Sequence, residues 1–186
     1  MKNEKASAKT SEGVGLGRKG VMSEKAEAHG RYFVECHDAF GNLKFRDMID
    51  NLVTTAGKND ALDKYLSGTG YTANFYIGLV SGTGYTTGAV AADTADNHAG
   101  WQEDVNYSEA TRPAAVFASA AGGSKSLSAA LTFSISDSTT IKGCFLATES
   151  TKGGTSGILY SAGLFSGGDK IVSDGDTLSV SYTASL

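Results

Sequence analysis

Apolar and polar residues alternate strictly over several stretches of this chain. Leu131, Phe133 and Ile135 are interleaved with Thr132 and Ser134, and Leu178, Val180 and Tyr182 with Ser179, Ser181 and Thr183. A period of two with Ser and Thr on the second face predicts strands that bury one side and wet the other. The run Tyr32-Phe33-Val34-Glu35-Cys36 is rich in β-formers, and Leu43-Lys44-Phe45-Arg46 alternates apolar with charged residues. Ala39-Phe40-Gly41-Asn42 lies between them with turn-forming Gly and Asn, so the segment predicts a β-hairpin. Asn51-Leu52-Val53-Thr54-Thr55 reads as an extension of its second strand. Residues 74–80 predict a central strand, and residues 114–118, 140–148 and 157–165 predict others.

Only one segment has helical spacing. Leu62, Tyr65 and Leu66 fall at i, i+3 and i+4, with Asn59 or Asp60 as N-cap and Gly68 as terminator, predicting one short helix near residues 59–67. Turn clusters such as Lys152-Gly153-Gly154, Gly167-Gly168-Asp169 and Asp174-Gly175-Asp176 punctuate the rest. The pattern predicts a mainly β fold: an antiparallel β-sandwich or jelly-roll-like domain over residues 31–186. One echo, Ser67-Gly68-Thr69-Gly70-Tyr71-Thr72 against Ser81-Gly82-Thr83-Gly84-Tyr85-Thr86, reads as two similar loops flanking a strand, too few copies for a solenoid.

The pattern fails in residues 1–30. No aromatic residue occurs there, and the larger apolar residues are Met1, Val14, Leu16, Val21 and Met22. Such a segment buries too little surface to offset its ordering entropy, so it predicts a flexible arm, extended when docked. Its Lys2, Lys5, Lys9, Arg18, Lys19 and Lys25 against four Glu give a net charge of +2, whereas residues 72–186 carry −5.

Composition agrees with a many-turned β protein. The 186 residues include 24 Gly and 1 Pro, against average expectations of about 13 and about 9. No Gly-X-Y period accompanies the glycine, which excludes collagen, and 40% hydrophobic residues with 19% charged exclude a chain disordered throughout. A formal net charge of −4 argues against nucleic acid as a partner, and no run approaches the roughly 18 apolar residues of a membrane span. The N-terminus has no apolar signal core, so synthesis without export is expected. Cys36 and Cys144 stand alone without CxxC spacing and read as reduced, partly buried thiols.

The chemistry-bearing motifs lack their contexts. Gly15-Leu16-Gly17-Arg18-Lys19-Gly20 matches a dinucleotide fingerprint but has neither the preceding strand nor the following helix. Cys36-His37-Asp38 falls on a strand whose successive side chains point to opposite faces, which favours a hairpin end over a ligand set. Asp93, Asp96 and His98 lie in a polar loop where solvation is the simpler reading than a divalent cation. The expectation is a non-enzymatic protein with no cofactor and no metal.

Two stretches have a distinctive character as wholes: His98-Ala99-Gly100-Trp101-Gln102-Glu103 with Tyr107-Ser108-Glu109-Ala110-Thr111-Arg112-Pro113-Ala114, and Gly143-Cys144-Phe145-Leu146-Ala147-Thr148 through Tyr160. With Val34-Glu35-Cys36-His37-Asp38-Ala39-Phe40-Gly41-Asn42-Leu43-Lys44, they resemble small structural virion proteins of tailed bacteriophages and prophages, over roughly residues 31–186. That resemblance implies a virion setting, reached after synthesis in a bacterial cytoplasm. The leading expectation is a capsid decoration (cement) protein that forms a homo-oligomer and clamps the major capsid protein through its arm. A tail or fibre-anchoring adaptor is the alternative in the same setting, and a carbohydrate- or host-surface-binding module using Tyr71, Tyr85 and Trp101 is the alternative of another class. The candidate interface residues are Lys2, Lys5, Lys9, Arg18, Lys19, Trp101, Tyr107 and Arg112. For Trp101, Tyr107 and Arg112 a second reading is a loop pinned onto its own sandwich, with Arg112 paired to Glu103 or Glu109.

Overall fold

Strand β1 (His29–His37) and strand β2 (Leu43–Asp50) form the expected hairpin, with Phe33 opposite Met48 and Glu35 opposite Arg46. Asp38 shapes its turn: one carboxylate oxygen accepts the Phe40 and Asn42 amides at 2.9 and 2.8 Å, and Gly41 supplies the left-handed φ of +83°. The computed structural model describes residues 27–66, 70 and 74–186. Lys2, Lys5, Lys9, Arg18 and Lys19, the Gly15–Gly20 motif and Gly68 therefore lie outside the described residues, as does most of the first copy of the Ser-Gly-Thr-Gly-Tyr-Thr echo. Because β1 begins at His29, the last two residues assigned to the arm belong to the sheet.

The second strand does not run on through Thr55. The Asn51 amide still bonds the Gly30 carbonyl at 3.0 Å, but three residues later the Thr54 amide bonds the Tyr160 carbonyl at 3.0 Å. Asn51 is thus a corner at which the chain leaves one sheet and joins the other as β3 (Leu52–Val53). Helix α1 (Thr55–Leu66) follows at once, four residues earlier than its apolar spacing predicts. The reason is Thr54, whose hydroxyl accepts the Gly57 amide at 3.0 Å as N-cap and donates to the Leu159 carbonyl at 2.6 Å. Gly57 is the buried residue of the helix; a Cβ there would lie 2.4 Å from the Tyr160 carbonyl oxygen. The stripe expected to face the core turns outward instead, with Leu62, Tyr65 and Leu66 56, 86 and 72% exposed.

The remaining strands are β4 (Tyr76–Ser81), β5 (Glu103–Asp104), β6 (Ser124–Ser126), β7 (Leu131–Ser134), β8 (Thr139–Ala147), β9 (Leu159–Leu164), β10 (Lys170–Val172) and β11 (Thr177–Ser185). They make two antiparallel sheets. The first has the order β2-β1-β11-β6, with β7 also on β11; the second has the order β3-β9-β8-β4-β5, with β10 also on β8. Residues 114–118 contribute only isolated bridges, Tyr76 to Ala114 and Phe117 to Leu127. The sheets pack face to face as a β-sandwich, as the alternation predicts. Tyr32, Val34, Ile49, Phe133, Leu178 and Val180 from the first sheet meet Ile77, Leu79, Cys144 and Leu146 from the second.

The outer faces differ. On the first sheet, β11 points Thr177, Ser179, Ser181 and Thr183 away from the core, the one-sided burial read from the sequence. On the second, Val80, Phe145, Ala147, Leu159 and Ala162 form another apolar cluster with Ala95 and Trp101. The cover is the segment between β4 and β5, so this sheet is buried on both sides. Gly78 makes room for that layer: a Cβ there would lie 2.2 Å from the Phe145 ring.

Candidate functional site

The long β4–β5 connection needs partners for its backbone and is held down by a few buried polar side chains. Asp93 accepts the Trp101 indole N–H at 3.0 Å and the Val90 amide at 3.0 Å. His98 stacks on Trp101 with ring centroids 4.1 Å apart, and the Trp101 ring lies 5.5 Å from that of Phe145. Asp96 accepts the Thr94 hydroxyl at 2.6 Å. The acidic and histidine side chains of this loop, weighed from sequence as possible cation ligands, are engaged in tying the loop to itself and to Trp101.

Beside Trp101 lies a buried ion pair. Arg112, 4% exposed, presents Nε and Nη2 to the two carboxylate oxygens of Glu103 at 2.9 and 2.7 Å. Its remaining contacts are the Glu149 carbonyl at 2.9 Å and the Gly154 carbonyl at 3.0 Å, and its guanidinium stands 5.1 Å from the Phe145 ring centre. Glu103 also accepts the Gly153 amide at 2.6 Å and the Tyr107 hydroxyl at 3.4 Å. Tyr107 packs edge-on to Phe133 at 5.0 Å, and burial followed by the Glu103 charge pushes its phenol far above the usual range. Lys152 caps the arrangement, its ammonium 4.2 Å from the Tyr107 ring and 2.6 Å from the Tyr107 carbonyl. A carboxylate that accepts four donors is a fixed anchor for three chain segments. A 240 Å³ cavity opens alongside, lined by His98, Trp101, Arg112, Phe145, Gly154 and Leu159 among others.

Trp101, Tyr107 and Arg112 are therefore brought together, but inside the subunit. Of the two arrangements read from the sequence, the geometry matches the loop pinned onto its own sandwich, with Glu103 as the partner of Arg112. Glu109 instead receives the Ser134 amide at 3.1 Å on both oxygens. For the carbohydrate alternative, Trp101 is 3% exposed and has no face to offer a sugar, Tyr85 sits 4.2 Å under the Lys142 ammonium, and Tyr71 lies outside the described residues. No family model matches this chain, and no curated protein is detectably similar to it.

Both thiols are free, and both are buried rather than partly buried as expected. Burial and the neighbouring Asp176 carboxylate push Cys36 up to about 11, and burial pushes Cys144 further still. Asp176 itself accepts the Ser173 amide at 2.7 Å and pairs with Lys44, closing the end of the core beneath the first hairpin.

A feature missed from sequence is an open apolar groove. A groove of about 930 Å³ runs between α1 and the end of β11, walled by Val53, Ala61, Leu62, Tyr160, Ala184 and Leu186. Lys58 and Lys125 also line it, and so do Glu27, Ala28 and His29, the first described residues of the chain. The signal was present in the Leu62-Tyr65-Leu66 stripe, but spacing alone does not say whether a stripe faces the core or an opening beside it.

Proposed function

We propose that this chain is a non-enzymatic structural component of a tailed-phage virion, a decoration subunit that is held on the capsid by its N-terminal segment. The observation that carries the reading is the division of labour along the chain. Residues 29–186 form a body whose buried ionisable groups, Glu103, Arg112, Asp104, Asp93 and Asp176, are each engaged in fixing loops and strand ends. The basic N-terminal residues Lys2, Lys5, Lys9, Arg18 and Lys19 lie before the sandwich and join it at one end, beside Glu27. Twenty-six extended residues span up to roughly 90 Å, enough to reach an adjacent subunit. A segment of this composition loses ordering entropy on docking but covers a long contact path, which suits attachment at many equivalent positions. The virion setting itself rests on the resemblance read from the sequence of residues 31–186.

The test is retention on purified particles. Deleting residues 2–26 spares β1 and is expected to leave the far-UV circular dichroism of the sandwich unchanged while the protein is lost from the particle. Retention equal to that of the intact chain would overturn arm-mediated clamping. Copy number separates the tail alternative: a value set by the capsid lattice supports decoration, and a value set by the tail's symmetry supports an adaptor.

A further inference from the structure

The apolar groove beside Glu27 has no cover among the described residues, and exposed apolar surface of this size marks a docking site. We propose that its occupant is the root of the chain's own N-terminal segment, with Val21 and Met22 seated between α1 and the end of β11. Three observations converge on that occupant. The chain enters the sandwich at the groove itself, since Glu27, Ala28 and His29 line it. Met22 is five residues before Glu27, a reach of up to about 17 Å, so Val21 and Met22 are the nearest large apolar side chains on that side. The charges also match: Glu24 lies two residues after Met22, and Lys58 and Lys125 stand along the groove.

The tether decides between the own chain and a neighbour. A link this short gives an effective concentration in the millimolar range, so intramolecular seating precedes exchange between copies at ordinary protein concentration. Burying a Val and a Met side chain supplies the gain, and the wall of Val53, Leu62, Ala184 and Leu186 is apolar enough to receive them. Seating the root fixes where the arm leaves the body and leaves Lys2 to Lys19 as the reaching part. The inference does not depend on the virion setting, and its test uses the isolated protein.

Trypsin cleavage at Lys25 reads the seating directly, because Lys25 lies between Met22 and the sandwich. Where opening is fast relative to cleavage, the rate follows the open population. Replacing both residues (Val21→Ser with Met22→Ser) is expected to speed cleavage at Lys25 by about tenfold or more. Leu62→Asp, on the groove wall at a position already 56% exposed, is expected to do the same. Leu43→Asp, at the far end of the β1–β2 hairpin, is expected to leave the rate unchanged. Should Leu62→Asp lose its far-UV signal, the double serine variant alone carries the test. Equal rates in the intact chain and the double variant overturn the proposal. Protection that grows with protein concentration also overturns it, assigning the groove to a neighbouring copy's segment.

Discussion

The outer face of the first sheet carries half-exposed Ser179, Ser181 and Thr183, with Ser126 and Thr183 sharing a 2.8 Å hydroxyl bond, and its charges, such as the Arg31–Asp50 pair, stay exposed. The outer face of the second sheet lies beneath the β4–β5 loop, and that loop with the strand and segment after it brings Asp93, Trp101, Tyr107, Arg112 and the Glu103 side chain into the interior. The difference shows where this chain spends its buried polarity. A regular sheet satisfies its own backbone and can leave its outer face to water. Irregular backbone laid over an apolar face has no ladder, so side chains must supply the missing partners. Buried charge here marks covered backbone.

The sharpest way to break this contrast is Arg112→Ala. It leaves the Glu103 carboxylate buried without its bidentate partner, and the expected loss is about 3–5 kcal/mol in urea denaturation. The melting temperature should fall by roughly 10 °C or more. A loss below about 1 kcal/mol, the range of surface pairs, would mean that the loop does not depend on the ion pair.

An intermediate effect is expected where the two sheets meet at Asp47 on the edge strand β2. Its carboxylate accepts the Ser166 hydroxyl at 2.7 Å and the Gly167 amide at 3.0 Å, and pairs with Lys170 at 2.7 Å, all from the β9–β10 region of the opposite sheet. Burial alone would raise its proton affinity, but Lys170, Ser166 and the Met48 and Gly167 amides hold it at about 2. A folded value below the unfolded one, near 4, means that this contribution is present above about pH 4 and is lost as pH falls through about 2. Glu149, held at about 2 chiefly by the Thr151 amide and the Ser156 and Thr151 hydroxyls, titrates in the same window. The measurement is therefore the difference between the intact protein and Asp47→Asn: the variant should show a shallower fall in stability from pH 4 to pH 2. Parallel curves would mean that Asp47 does not join the sheets.

The smallest effect belongs to the open face. Ser181→Ala should change stability by no more than about 0.5 kcal/mol by the same denaturation assay. A larger loss would show that the hydroxyl row stabilises the first sheet as the buried groups stabilise the loop.

The two faces were also unequally legible. β1, β7 and β11 could be read because one side of each is wet, and wet positions carry Ser, Thr and charge. The double burial of the second sheet left a trace in the unbroken apolar runs of β4 and β8, where Ile77-Gly78-Leu79-Val80 and Cys144-Phe145-Leu146-Ala147 show no alternation. What covers those runs was not legible, because the β4–β5 loop has no period. Its markers were Trp101 and, in the segment after β5, Arg112, and either could have pointed outward. The helix failed for a related reason. Its docking face is the near absence of a side chain at Gly57, which no hydrophobic pattern records, and its start is fixed by Thr54, which β-propensity had placed in a strand. The corner at Asn51 escaped because a change of sheet preserves the extended conformation on both sides.

Strand β1, the first element of the sandwich, pairs along its whole length with β11, the last, from His29 opposite Ser185 to His37 opposite Thr177. During synthesis the opening hairpin therefore emerges with one edge and one apolar side unmet, and it stays so while every other described element is made. Long-range closure of this kind slows folding and prolongs the exposure of sticky intermediates. The ribosome must deliver β11 before the first sheet can exist, so truncation within that strand should yield aggregates rather than a smaller sandwich.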